Sequence, residues 1–406
     1  MRKFLLNNTP LCKAPFVNIF ISANGDVTFC CFNRKDILGN IFSQNIEKIW
    51  NSEKAEDIRK TFLNKKFPAG CHICQTALKY GNYYNSGIST YAKFDSSKNI
   101  IQTIDFELSY KCNLKCQMCY LHSQSYNLNI ERENLIMKQL EPYLTKLKRA
   151  QFYGGEPFVI PIYYKIWDFI VKNNSKCIIL VQTNGTIFNK EIEELTIKGN
   201  FMFNVSIDAL NKELAENIRK GSKFDVIINN LNKFKKHSKY SITLAITPMQ
   251  INWQEIPNIV KFANNNGYKV FFNNLIQPIE YALFALNAQQ LSEIIKYYKQ
   301  FLFIPFNYNS LVNYFRYRHF INTLKGLYIE ALKRPNYTAN EIEYYSNIIY
   351  LKVQNKFPEI VQYNEKAILA KIKEYLQFNH YETAIDYINK ASKEEIKNLV
   401  EERVNI

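Results

Sequence analysis

Apolar positions along this chain gather into short runs separated by longer stretches in which they recur every three or four residues. The short runs are Ile101 to Leu108, Ala150 to Tyr153, Ile178 to Val181, Phe201 to Ile207, Ile242 to Ile246 and Lys269 to Phe272. Their length and their termination in small or polar residues predict strands. Between them the spacing is helical. Phe224, Ile227, Ile228, Leu231 and Phe234 form one such face, with Ser222 placed as an N-cap. Strands alternating with helices predict a parallel sheet, and six such units predict a partial (β/α) barrel over residues 98–285.

The flanks read differently. Phe16 to Ile21 and Val27 to Phe32 are apolar runs joined by Ala23-Asn24-Gly25-Asp26, an Asn-Gly hairpin signal. Helical patterns follow at Ile46, Ile49 and Trp50, then at Ala55, Ile58 and Phe62. Residues 1–95 are therefore expected to form a small hairpin-and-helix domain. Residues 286–406 carry helical patterns and few strand signals, with a capping box at Ser392 and Glu395. The aromatics of this segment, such as Tyr297, Tyr298, Phe301 and Tyr317, are expected in its core rather than stacked on bases.

Composition narrows the class. With 47% hydrophobic and 15% aromatic residues among 406, the chain is globular. No apolar run approaches the roughly 18–20 residues of a membrane span; the longest, Phe158 to Val171, is broken by Lys165 and Asp168. Met1 to Leu6 is too short for a secretory signal, so a cytoplasmic protein without a membrane partner is expected. The formal charge of +16 permits acidic partners. The lysines are scattered without an arginine-rich run, which reads as a solvated surface, and nucleic acid is not expected.

The nine cysteines change the picture most. Cys112, Cys116 and Cys119 stand at C-x3-C-x2-C spacing directly after the first barrel strand. Three thiolates on one short loop can hold three irons of a cubic cluster and leave the fourth iron without a protein ligand. A zinc knuckle, or a cluster with a remote fourth ligand, would share the spacing. Cys12, Cys30, Cys31, Cys71 and Cys74 lie on the hairpin and on a C-x2-C knuckle, where four thiolates suit either zinc or a fully ligated cluster. Cys177 opens a strand and reads as a buried inert thiol. The remaining motifs fall at strand ends, where barrels of this kind place their active sites. They are Gly154-Gly155-Glu156-Pro157, Thr183-Asn184-Gly185, and the pair Ser206 and Asp208, whose side chains share one direction.

The segment CNLKCQMCY, followed about 35 residues later by GGEP, resembles the radical S-adenosylmethionine (radical SAM) superfamily. The runs CKAPFVNIFISANGDVTFCC, LGNI, EKIWNSEKAEDIRK and PAGCHIC resemble the SPASM or twitch domain, which carries auxiliary iron–sulfur clusters. The resemblance implies a [4Fe-4S] cluster on Cys112, Cys116 and Cys119 with S-adenosylmethionine on its open iron. It implies cofactor contacts from Met118, Tyr120, Gly154, Gly155, Glu156, Asn184, Ser206 and Asp208. It further implies one auxiliary cluster on Cys12, Cys30, Cys71 and Cys74, with Cys31 able to replace Cys30. The expected reaction is reductive cleavage of S-adenosylmethionine to a 5′-deoxyadenosyl radical, which takes a hydrogen atom from a peptide or protein side chain or a sugar-like small molecule. A flavodoxin or ferredoxin would donate the electron. Two features depart from the family pattern: the cysteine-rich domain precedes the barrel, and its five cysteines suffice for only one fully ligated cluster. The competing reading is a non-enzymatic iron–sulfur protein for electron transfer or redox-dependent binding, which needs Cys31 or Cys177 as a fourth ligand to the central cluster.

Overall fold

The computed structural model describes residues 10–79, 81–83, 86–119, 128–358, 365–393 and 395–396. Met1 to Leu6 and Tyr120 lie outside them. The strands are β1 (Asn18–Ser22), β2 (Asp26–Thr28), β3 (Gly39–Asn40), β4 (Thr103–Glu107), β5 (Lys115–Cys116), β6 (Arg149–Phe152), β7 (Ile178–Thr183), β8 (Phe201–Ser206), β9 (Arg219–Lys220), β10 (Thr243–Ile246) and β11 (Lys269–Phe272). All six expected barrel strands form, and they run parallel in one sheet ordered β11-β10-β8-β7-β6-β4-β1-β2-β3.

The sheet does not stop at its first barrel strand. β1 pairs β4 in parallel from Asn18↔Thr103 to Ser22↔Glu107, and the hairpin continues the sheet through β2 and β3. Gly25 (φ 87°) supplies the left-handed residue of the hairpin turn. Contacts therefore divide the described chain differently from the expected three-part scheme. One unit comprises residues 1–285 and 293–324, the other 286–292 and 325–406.

Side chains alternate across the sheet, and the two faces differ in kind. Ile104, Phe106, Ala150, Phe152, Val181, Phe203 and Val205 turn to the helix-covered face and are buried. There the helix Pro161–Asn173 seats Trp167 5.4 Å from the Phe152 ring, and the helix Phe224–His237 seats Phe234 4.6 Å from Phe203. The opposite face carries Asn18, Thr103, Asp105, Glu107, Arg149 and Gln151, all buried. These polar side chains bond one another and their neighbours, as Asn18 Nδ2 does Asp105 at 3.2 Å and Arg34 does Glu107 at 2.5 Å.

The second unit packs the helices Ala339–Lys356, Glu365–Leu376 and Tyr381–Lys390 around Ile349, Val353, Ile368, Leu376 and Ile388. Ser392 and Glu395 exchange the reciprocal bonds of the expected capping box. Among the described residues, no helix is long and apolar enough to cross a membrane.

Arg59 ties the cysteine-rich segment together. It is 2% exposed, donates to the Pro15 and Trp50 carbonyls at 2.8 Å each, and lies 4.4 Å from the Trp50 ring. Pro15 follows Cys12 by three residues, so this side chain fixes the entry to the cysteine cavity. Arg59→Ala should lower unfolding free energy by about 2–4 kcal/mol, because it leaves two buried carbonyls without a donor. Denaturant titration measures this, with Arg59→Lys expected in between.

Candidate functional site

Four of the five N-terminal cysteines face one cavity. Cys12 enters it just before the short helix Ala14–Val17, and Cys30 from beyond the end of β2. Cys71 and Cys74 come from the 3-10 turn Ala69–Cys71 and the helix His72–Lys79. The remaining wall includes Phe29, Phe32, Ile58 and Phe62. N–H donors reach three of the sulfurs: the Ala14 amide bonds Cys12, Asn33 Nδ2 reaches Cys71 Sγ at 3.3 Å, and the Gly87 amide reaches Cys74 Sγ at 3.3 Å. Burial pushes the Cys12 thiol up to about 12 and Cys71 to about 11, and it raises Cys30 and Cys74 as well. For Cys12 and Cys30 the neighbouring thiols add to the rise. Four coupled acids in an apolar hole ionise together only when a cation compensates them, which is the chemistry of a metal or cluster site.

Cys31 is not part of this set. Its thiol hydrogen-bonds Tyr153 and lies near Asp105 and Glu107 on the polar inner face of the sheet. The adjacent cysteines thus point into different compartments, which sequence could not decide. His72 opens the helix His72–Lys79 and is exposed.

The central cysteine loop begins five residues after β4. Cys116 belongs to β5, which pairs with β9 so that Cys116 lies opposite Arg219. The Leu114 amide donates to Cys112 Sγ at 3.4 Å, Asn184 Nδ2 lies 4.0 Å from the same sulfur, and Arg219 Nη1 lies 3.9 Å from Cys116 Sγ. Cys112 is exposed, while Cys116 and Cys119 are half-buried. Burial raises the Cys112 thiol and pushes Cys116 up to about 11, so these sulfurs too await a cation.

The glycine turn braces this loop from beneath. The Gly155 amide donates to the Ser109 carbonyl at 3.0 Å and the Glu156 amide to the Lys111 carbonyl at 2.8 Å. Gly154 holds φ 111°, and a Cβ on Gly155 would run into the Lys111 and Tyr110 carbonyls. Both glycines are required by this approach.

Two carboxylates expected at the cofactor are engaged inside the protein. Glu156 accepts from the Asn184 amide at 2.7 Å, from Thr183 Oγ1 at 2.8 Å and from the Phe158 amide at 3.2 Å. Burial pushes its carboxyl up to about 7 against the pull of those donors. Asp208 accepts from the Thr247 amide at 2.7 Å and is ion-paired with Arg219 at 2.7 Å. Glu156 therefore locks the Thr183–Asn184 turn to the glycine turn, and Asp208 anchors Arg219.

Asn184 and Ser206 stand at the ends of β7 and β8. Asn184 Nδ2 also bonds Asn113 Oδ1 at 2.9 Å, within the cysteine loop. Met118 packs with Ala209, Ile218 and Met249. Tyr120 lies outside the described residues. Sequence reasoning missed Arg219. Burial works against its charge, yet Asp208 and the Cys116 sulfur hold its pKa above the ordinary value. Its only sequence signal is a basic pair before Gly221, too common to single out.

Comparison with known proteins agrees with both motifs. Residues 106–263 match the radical SAM superfamily and residues 12–75 match an iron–sulfur cluster-binding domain, SPASM. The chain is 30% identical over 176 residues to the antilisterial bacteriocin subtilosin biosynthesis protein AlbA of Bacillus subtilis, covering 42% of this chain and 38% of that protein. It is 28% identical over 171 residues to a probable GTP 3′,8-cyclase of Methanocaldococcus jannaschii, covering 41% and 56%. It is 29% identical over 195 residues to a cysteine-type anaerobic sulfatase-maturating enzyme of Clostridium novyi, covering 42% and 50%. The chain thus spans about four-tenths to just over half the length of these relatives.

Gly155→Ala should displace the loop that carries Cys112 while leaving the N-terminal cavity intact. Iron in the anaerobically reconstituted protein is expected to fall by about half, as one of two cubic clusters is lost.

Proposed function

We propose that this chain, which belongs to the radical SAM superfamily and carries a SPASM-type cluster-binding domain ahead of its barrel, is an enzyme that generates a substrate radical by hydrogen abstraction. One observation carries the reading: the seven cysteines of the two motifs divide between two separate sites, three on an open loop and four in a closed cavity. Cys112, Cys116 and Cys119 would hold three irons of the first cluster, and Cys12, Cys30, Cys71 and Cys74 would enclose an auxiliary one. When bound, the first cluster and S-adenosylmethionine supply a 5′-deoxyadenosyl radical, the species that removes a hydrogen atom from carbon.

The chain's own residues set the stage for this. Gly154 and Gly155 keep the loop seated and leave carbonyl edges free of side chains. Asn184 and Ser206 stand at the strand ends, and Met118 lies on the cysteine loop. Glu156 and Asp208 act one step back, through Asn184 and Arg219. The division into 1–95, 98–285 and 286–406 is then one of role: auxiliary ligation, radical generation, and a helical segment.

A peptide or protein side chain is the favoured substrate class, since two of the three relatives above are named for a peptide product and a protein target. The third is named for a nucleotide, so a small molecule is the second reading. A flavodoxin or ferredoxin would supply electrons, and nine cysteines without a disulfide among the described residues suit the reducing cytoplasm. A non-enzymatic iron–sulfur protein would need a fourth thiolate at the central loop. Cys177 is buried at the start of β7, and Cys31 is bonded to Tyr153.

The test is anaerobic reconstitution, reduction with dithionite and assay for 5′-deoxyadenosine. The wild type is expected to form it, and a Cys112/Cys116/Cys119 triple alanine variant should form none while keeping about four irons. A wild type with both clusters and no product would refute the enzyme reading. Arg219→Met removes a positive charge beside Cys116 and should make the central cluster harder to reduce, by tens of millivolts or roughly 1 kcal/mol. Redox titration followed by electron paramagnetic resonance reads this shift.

A further inference from the structure

We infer that Asn33 and Asp36 set the reduction potential of the auxiliary cluster. Asn33 favours the reduced state through a hydrogen bond to the Cys71 sulfur, and Asp36 opposes it through its charge. The inference rests on the reading above that Cys12, Cys30, Cys71 and Cys74 hold a cluster. Apart from those cysteines, Asn33 and Asp36 bring the only polar side chains to the described lining of the cavity. The remaining wall is apolar, so a polar atom in it acts with little screening.

Asn33 is held in one orientation. It is 7% exposed, and its Nδ2 directs one N–H at Cys71 Sγ, 3.3 Å away, and the other at Asp36 Oδ2, 2.6 Å away. Its Oδ1 accepts from the Asp36 amide at 3.2 Å, which fixes which end of the side-chain amide faces the sulfur. Its own backbone amide donates to the Cys30 carbonyl at 3.3 Å. One residue thus joins two of the four ligands, Cys30 through the main chain and Cys71 through the side chain. Gly70 leaves it room, because a Cβ there would run into Asn33 Oδ1. The donors at Cys12 and Cys74 are main-chain amides, so Asn33 is the side-chain donor among the described bonds.

Adding an electron to a cluster and removing a proton from a thiol both place negative charge on sulfur, so the same neighbours act on both. At the Cys71 thiol, burial raises the pKa most, the Asn33 bond lowers it and the Asp36 charge raises it. A bond donated to sulfur strengthens as the sulfur becomes more negative, whereas a nearby carboxylate repels the added charge. Hydrogen bonds to the sulfurs and local net charge are among the quantities that set cluster potentials. The step concerned is uptake of one electron, with no bond formed or broken. Both residues act on the cluster from its wall and are positioning residues.

The experiment uses the full chain with Cys112, Cys116 and Cys119 replaced by alanine, reconstituted anaerobically so that the auxiliary cluster alone is titrated. Redox titration followed by electron paramagnetic resonance reads its potential, and iron analysis reads its occupancy. Asn33→Leu is expected to keep about four irons and to disfavour reduction about tenfold, a fall of about 59 mV for a one-electron couple. Asp36→Asn should favour reduction about tenfold, the same shift upward, since it removes the charge and keeps an acceptor for Asn33. A structural role alone would not give shifts of opposite sign. An unmoved potential in either variant, or shifts of one sign in both, overturns the inference. Where Asn33→Leu takes up no iron, Asp36→Asn decides by itself, and an unmoved or lowered potential overturns the inference. A parent protein without iron overturns the auxiliary-cluster reading and this inference with it. The radical reading stands or falls separately, on 5′-deoxyadenosine from the wild type.

Discussion

Two turns pressed together control the rest of this molecule. The amides of Gly155 and Glu156 bond the carbonyls of Ser109 and Lys111, and the space between them admits no Cβ. Everything on the cysteine loop takes its position from that contact. The Glu156 carboxylate extends it to the Asn184 turn, and Asn184 returns to the loop at Asn113. Three consecutive strand ends are thus welded by hydrogen bonds made almost wholly within the protein. A cluster site built in this way owes its shape to glycine and to buried acceptors.

The second constraint is the continuity of the sheet. Because β1 pairs with β4 in register over five residues, the hairpin that leads into Cys30 belongs to the same sheet as the barrel strands. The order of the two cysteine regions along the chain matters little under this arrangement. A hairpin laid against the free edge of the first barrel strand can precede the barrel as readily as follow it. Asn18 shows how closely the two parts are joined, since its amide donates to the Phe29 carbonyl, to Tyr91 and to Asp105 of β4.

Much of this was legible in the sequence. The strand runs were visible because their apolar residues form an outer face, and the cysteine motifs because spacing on one loop is local information. What escaped reading depended on partners far apart in the chain. Nothing in the local sequence shows that Glu156 and Asp208 meet Thr183, Thr247 and Arg219. Cys30 and Cys31 are equivalent on paper, since only the direction of the backbone leaving β2 separates them. The union of β1 with β4 was hidden for the same reason, because strand register is set by tertiary contact and not by propensity.

The join between β1 and β4 also has a consequence for biogenesis. Asn18 meets Thr103 across 85 residues of chain, so during synthesis the hairpin waits with one edge unpaired until β4 has left the ribosome. Gly87 and Ile88, which complete the cavity of the four thiols, arrive within that interval. The whole lining of the N-terminal cavity, from Cys12 to Ile88, thus precedes β4 in the chain, so the compartment of the four thiols is synthesised before the strand that its hairpin docks against.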